Sequence, residues 1–109
     1  MPAYLVATVA VHDQDTYRKY AALTPALIAR HGGKFLTRGN PVLTLEGLPF
    51  KDSMVILEFP TQAHCEAFFK DPDYEAAAVF RRAASVAQII VQEGNADTAV
   101  PAPRLLRDV

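Results

Sequence analysis

From Ala3 to Val11 the chain is rich in Val, Leu and Thr and reads as a β-strand. Leu5, Ala7, Val9 and Val11 fall on one side of it, and Tyr4, Val6 and Ala10 on the other. Both sides carry apolar residues, as expected of a strand covered on both faces and not of one with a wet face. Asp13 or Asp15 can cap a following helix, in which Tyr17, Tyr20, Ala21, Thr24, Leu27, Ile28 and His31 recur at helical spacing. Gly32-Gly33 ends that helix, because glycine tolerates the left-handed conformation of a C-cap. Pro25 lacks a backbone donor, which predicts a kink or break near Ala22 to Thr24.

Lys34 to Arg38 reads as a second strand. Gly39-Asn40-Pro41 marks a bend or bulge, Val42 to Glu46 resumes an extended pattern, and Gly47-Leu48-Pro49 begins a turn. Ser53 to Phe59 is the third strand. Thr61 caps a second helix with Cys65, Phe68 and Phe69 on its apolar face, and Asp71-Pro72 restarts a helix over Asp73 to Ala84. Val86 to Gln92 is the fourth strand. The order strand, helix, strand, strand, helix pair, strand is the α+β, ferredoxin-like βαββαβ plan: a four-stranded antiparallel sheet with helices on one face. Residues 1–94 then make one domain. Residues 95–109, with Pro101 and Pro103 and no capped periodic element, read as a C-terminal tail, flexible or packed on a partner subunit.

Composition narrows the function classes. The chain has 109 residues, half of them hydrophobic, enough for one core and not two. Its 11 basic and 12 acidic residues are interspersed, leaving a net charge of −1 and no basic stripe for nucleic acid. No apolar run approaches the roughly 20 residues that span a bilayer. Cys65 is the sole cysteine, so no internal disulfide is expected, and a reducing, cytoplasmic setting is the simplest reading. A sheet with helices on one face leaves its other apolar face open, and a homodimer is the expected remedy.

An ordered set of residues carries a resemblance. It runs from Tyr4-Leu5-Val6 through Tyr17-Arg18-Lys19-Tyr20 and His31-Gly32-Gly33-Lys34-Phe35 to Arg38-Gly39. It continues with Val55-Ile56-Leu57-Glu58-Phe59-Pro60, Asp71-Pro72-Asp73-Tyr74, Arg81 and Glu93-Gly94. Together these resemble domain-of-unknown-function family 1330, within the dimeric α/β-barrel superfamily, over residues 1 to about 94. The resemblance implies a ferredoxin-like fold whose two sheets face each other across a dimer interface, forming a dimeric α/β barrel. Distant relatives on that fold include cofactor-free quinol monooxygenases, muconolactone isomerases, haem-using dismutases and proteins with no assigned chemistry, so the fold alone selects no activity. Pro25, the helix bearing Cys65 and the long tail depart from the pattern.

Seven residues stand out as site candidates, each with a plainer alternative. His31 can serve as general acid or base near neutrality, or as a cation-friendly residue at a helix C-terminus. Arg38 and Glu58 sit in apolar strands, where ionisable side chains are costly unless paired. They either grip a polar ligand in a cleft or neutralise each other. His31, Arg38 and Glu58 are the catalytic candidates. Tyr74 and Arg81, seven residues apart, share a helix face, and Arg81 offers a planar fork to a carboxylate. Tyr17 and Tyr20 lie at core spacing, as packing residues or as ligand contacts.

Other chemistries find little support. His12, His31, His64 and Cys65 show no paired metal-ligand spacing, and Cys65 reads as a buried, inert thiol. There is no GxSxG elbow and no phosphate-cradling GxGxxG loop, so neither a metal nor a cofactor is expected. Two functions remain. One is a small-molecule cavity, with cofactor-free oxidase- or isomerase-like activity on a small organic acid or phenol. The other is a non-catalytic dimeric structural or interaction module whose barrel is closed.

Overall fold

The computed structural model describes residues 1–95; the tail proposed for residues 95–109 lies, but for its first residue, outside the described residues. The elements follow the expected order: β1 (Ala3–Val11), α1 (Gln14–Arg30), β2 (Lys34–Arg38), β3 (Ser53–Phe59), α2 (Gln62–Lys70), α3 (Pro72–Ala84) and β4 (Ser85–Glu93). The strands form one open antiparallel sheet in the order β2-β3-β1-β4, with β2 and β4 at its edges.

β1 alternates as the sequence requires. Ala3, Leu5, Ala7 and Val9 are buried against the helices, where they meet Leu27, Ile28, Leu57, Phe59, Phe68 and Ala78. Its other face, with Tyr4, Val6 and Ala10, carries no helix and is half-buried by sheet neighbours alone. Val6 pairs with Ile56 on one side and Ile90 on the other, so an apolar row crosses this open face.

Each helix start has a local cause. Asp13 caps α1 by accepting from the Thr16 N–H at 3.1 Å, and Thr61 caps α2 by accepting from the His64 N–H at 3.2 Å. Asp71 caps α3 by accepting from the Asp73 N–H at 2.9 Å, with Pro72 in the first turn. The stop of α1 is equally local. Gly32 takes a positive φ of 77°, and a Cβ on Gly33 would lie 2.6 Å from Phe59 Cε1.

Two expectations need correction. Pro25 does not break α1, which runs unbroken from Gln14 to Arg30 because the buried side chains of Thr24, Leu27 and Ile28 hold the helix on both sides of it. Val42 to Glu46 is not extended into a strand: the 39–52 segment is irregular, and it leaves Leu43 and Leu45 80% and 89% exposed. The bend expected at Gly39 is present, with a φ of 73°, and a second irregularity lies earlier, inside β2. Phe35 faces Leu57 while Thr37 faces Ile56, so Leu36 is an extra residue and forms a β-bulge. The Thr37 hydroxyl accepts from the Ile56 N–H at 3.1 Å, satisfying a donor that the bulge would otherwise strand. Among the described residues, no helix is long and apolar enough to cross a membrane.

Candidate functional site

The bulge decides which face of the sheet carries Arg38. With regular pairing from Phe35 and Leu57, Arg38 would share the open face with Glu58. The extra residue instead sets it opposite Val55, on the helix side. There the Arg38 guanidinium lies 4.5 Å from the centre of the Phe35 ring, at the rim of a cavity between sheet and helices. The space open to the centre of a water molecule is about 80 Å³.

Four further polar side chains enter this cavity from the helices. Tyr20 and Thr24 come from successive turns of α1, and Tyr74 and Arg81 from one face of α3. The Tyr20 and Tyr74 hydroxyls are 2.9 Å apart and hydrogen bonded, with their rings edge to face. Arg81 is buried at 7% exposure, and its guanidinium carbon lies 5.7 Å from the Tyr20 ring centre. Its Nε–H is buried with no hydrogen-bond partner. The rest of the lining is apolar, chiefly Leu5, Ala7, Val9, Val55 and Leu57. Burial pushes the Tyr20 hydroxyl far above the ordinary tyrosine range, an effect strengthened by Tyr74, so Tyr20 stays protonated and can donate. Burial also raises Tyr17, whose ring lies 5.5 Å from Tyr20 outside the lining.

Two of the catalytic candidates stand elsewhere. Glu58 is on the open face, where Lys34 Nζ holds it at 3.0 Å; this contact keeps its carboxyl below the usual range. Glu58 therefore neither pairs with Arg38 nor reaches the cavity. His31 caps α1 at its C-terminal end and donates from Nε2 to Asp71 Oδ2 at 2.7 Å, tying α1 to the start of α3. Arg30 binds the same oxygen at 3.0 Å, and the Asp71 carboxyl is held at about 2. His31 is thus a bridge between helices. Cys65 is 1% exposed, and burial pushes its thiol up to about 11, so it packs as an inert group.

Sequence reasoning did not single out Thr24 or Phe35 as site residues. Thr24 follows Tyr20 by one helical turn, a spacing that marks a shared face. Phe35 and Arg38 are three apart in a strand and share a face only because of the bulge, for which the residue types give no signal.

A family model for a domain of unknown function, DUF1330, matches residues 2–95. The chain belongs to the DUF1330 family. No curated protein matches this DUF1330 chain. Among solved structures it is similar to RPA0582, a protein of unknown function from Rhodopseudomonas palustris, with 24% identity and a TM-score of 0.72 over 88% of this chain and 84% of that one. A dimeric ferredoxin-like protein of unknown function from Jannaschia sp. CCS1 matches with 16% identity and a TM-score of 0.69, over 86% of this chain and 100% of that one. SnoaB, a cofactor-independent oxygenase from Streptomyces nogalater, matches with 19% identity and a TM-score of 0.62, over 90% and 97% of the two chains. At such identities the likeness establishes the shared fold of this DUF1330 chain and says nothing of its chemistry.

Proposed function

We propose that this protein is a homodimer in which each subunit binds a small organic acid or phenol between its sheet and its helices. The observation that carries this reading is the Tyr20–Tyr74 hydroxyl pair, 2.9 Å apart, set in the wall of a mainly apolar cavity. Two hydroxyls share one hydrogen between them and leave one O–H for an occupant. An apolar space with a few convergent polar groups is the usual form of a small-molecule site.

The same geometry limits the chemistry. Tyrosine and guanidinium donors stabilise an oxygen that gains negative charge, which is what a cofactor-free oxidase- or isomerase-like step would draw on. No Asp, Glu or His stands among the described lining residues to take a proton, and Tyr20 stays protonated. Recognition and oxyanion stabilisation are therefore the capacities on offer. The cofactor-independent oxygenase on this fold supports small-molecule chemistry at the level of the fold alone.

The dimer rests on the open face. Val86 and Ile90 are 73% and 55% exposed there, beside Val6 and Ile56, and such a patch on a small protein marks an interface. A second copy presenting the same face covers it sheet to sheet, as the resemblance to dimeric α/β barrels implies.

Light scattering coupled to size-exclusion chromatography tests the dimer, and a monomer at micromolar concentration sinks it. Thermal shifts with a panel of small carboxylic acids and phenols test the cavity. Ala21, which lines it, is replaced by leucine to fill the space. Saturable stabilisation of the native chain that is absent from Ala21→Leu supports the site. An equal response from both proteins refutes it.

A further inference from the structure

The charge of the cavity selects between the two ligand classes just proposed, an inference that rests on the cavity reading above. Two guanidinium groups line the space, Arg81 in its wall and Arg38 at its rim, and no carboxylate does so among the described residues. Arg81 is the decisive one. It is more than nine-tenths buried, its Nε–H has no partner, and no carboxylate of the described residues lies within the 4.0 Å of an ion pair. A guanidinium cannot shed its charge, and burying one without a counter-ion is among the least favourable arrangements a fold can contain.

The surroundings offer no internal remedy. The Tyr20 ring faces the guanidinium at 5.7 Å and softens the charge without neutralising it. Tyr20 does not ionise to supply the missing anion, because burial and the neighbouring Tyr74 hold its proton in place. The carboxylates at the start of α3 are taken by other cations: Asp71 by His31 and Arg30, Asp73 by Arg30, and Glu75 by Arg82. Ser85 Oγ donates to the Arg81 backbone carbonyl at 2.7 Å, which anchors the end of α3 but leaves the side chain unserved.

We propose that the site takes a carboxylate: a small apolar acid whose anionic end binds Arg81 and whose body lies against the aliphatic wall. One carboxylate oxygen accepts from the guanidinium of Arg81, whose buried Nε–H adjoins the site, and the other accepts from the free O–H of the Tyr20–Tyr74 pair. A carboxylate matches the planar fork of a guanidinium, whereas a neutral phenol leaves the buried charge uncompensated. Arg38, stacked on Phe35 at the rim, adds attraction for the incoming anion. At roughly 10–15 Å³ for each water-sized body, 80 Å³ admits about five to eight such groups, so the acid is a short one.

The test follows the orphan group itself. The Nε–H resonance of Arg81, assigned by its disappearance in Arg81→Gln or Arg81→Lys, is recorded during titration with 3-methylbutanoate, its neutral isostere 3-methylbutanamide, and phenol. The expected result is a saturable shift with the carboxylate, and affinities at least tenfold weaker for the amide and the phenol. In whichever of the two arginine variants circular dichroism shows folded, thermal shift shows that preference reduced or lost. Equal affinity for all three probes leaves the cavity reading standing and overturns the carboxylate assignment. Saturation by none of them overturns both. An Arg81 shift that persists unchanged in Ala21→Leu places the anion outside the cavity and also overturns the assignment.

Discussion

At the scale of single residues, the polar contacts sort into those that build the molecule and those that face the cavity. Tyr20→Phe removes one partner from the hydroxyl pair and leaves Tyr74, 1% exposed, to find another. Equilibrium urea unfolding should show a loss of about 1 kcal/mol, with the Tyr20→Phe/Tyr74→Phe double variant losing less than the two single losses combined. Asp71 is a building contact with a definite pH signature. The His31 N–H first, the Asp73 N–H next and Arg30 last hold its carboxyl at about 2, below the ordinary 3.8. Its folded-state value is thus depressed, so the stability it adds is fully present above the ordinary value and is lost as pH falls from about 4 towards 2. Asp71→Asn keeps an oxygen for the Asp73 N–H but loses the charge. Melting curves should show the variant less stable at pH 7, with the difference shrinking through that acid window; a constant difference would contradict the electrostatic account. Tyr74 and Arg81 were legible as a pair because helical spacing states which side chains share a face, whereas nothing in the sequence sets Tyr20, on another helix, beside them. Arg38 and Glu58 were not, because strand parity fails at a bulge and Lys34 captures Glu58 on the open side.

At the scale of elements, boundaries were read well wherever a capping side chain or a glycine fixes them, as at Asp13, Thr61, Asp71 and Gly32. Pro25 misled because local preference is a weak term beside tertiary packing: three buried side chains next to it hold the helix through the missing bond. Pro25→Ala restores a donor to the Ala21 carbonyl. The gain should be roughly 2 kcal/mol, the helical penalty of proline near 3 less about 1 that its stiffness returns through the unfolded chain. A denaturation midpoint that does not rise would show α1 already strained elsewhere. Gly33 works in the opposite direction. A methyl group there meets Phe59 Cε1 at 2.6 Å and Ile28 Cγ2 at 2.9 Å, so Gly33→Ala should cost roughly 1–3 kcal/mol by the same measurement.

At the scale of the whole molecule, the single antiparallel sheet and the one-sided helices followed from the succession of elements, whereas the cover of the other sheet face lies beyond one chain, and a second copy is what we propose for it. Ile90, 55% exposed in the middle strip of that face, is the point to probe. Ile90→Glu should shift the mass seen by light scattering from dimer to monomer, and carboxylate binding should persist if each cavity is complete within its own subunit. Loss of dimer and binding together would show that the two faces of the sheet are coupled. The bulge at Leu36 acts as a phase shifter in a two-beat repeat. An in-frame deletion of that one codon would restore regular alternation with Thr37 still opposite Ile56 and Arg38 still opposite Val55, so the strand could be straightened without moving Arg38 from the cavity rim.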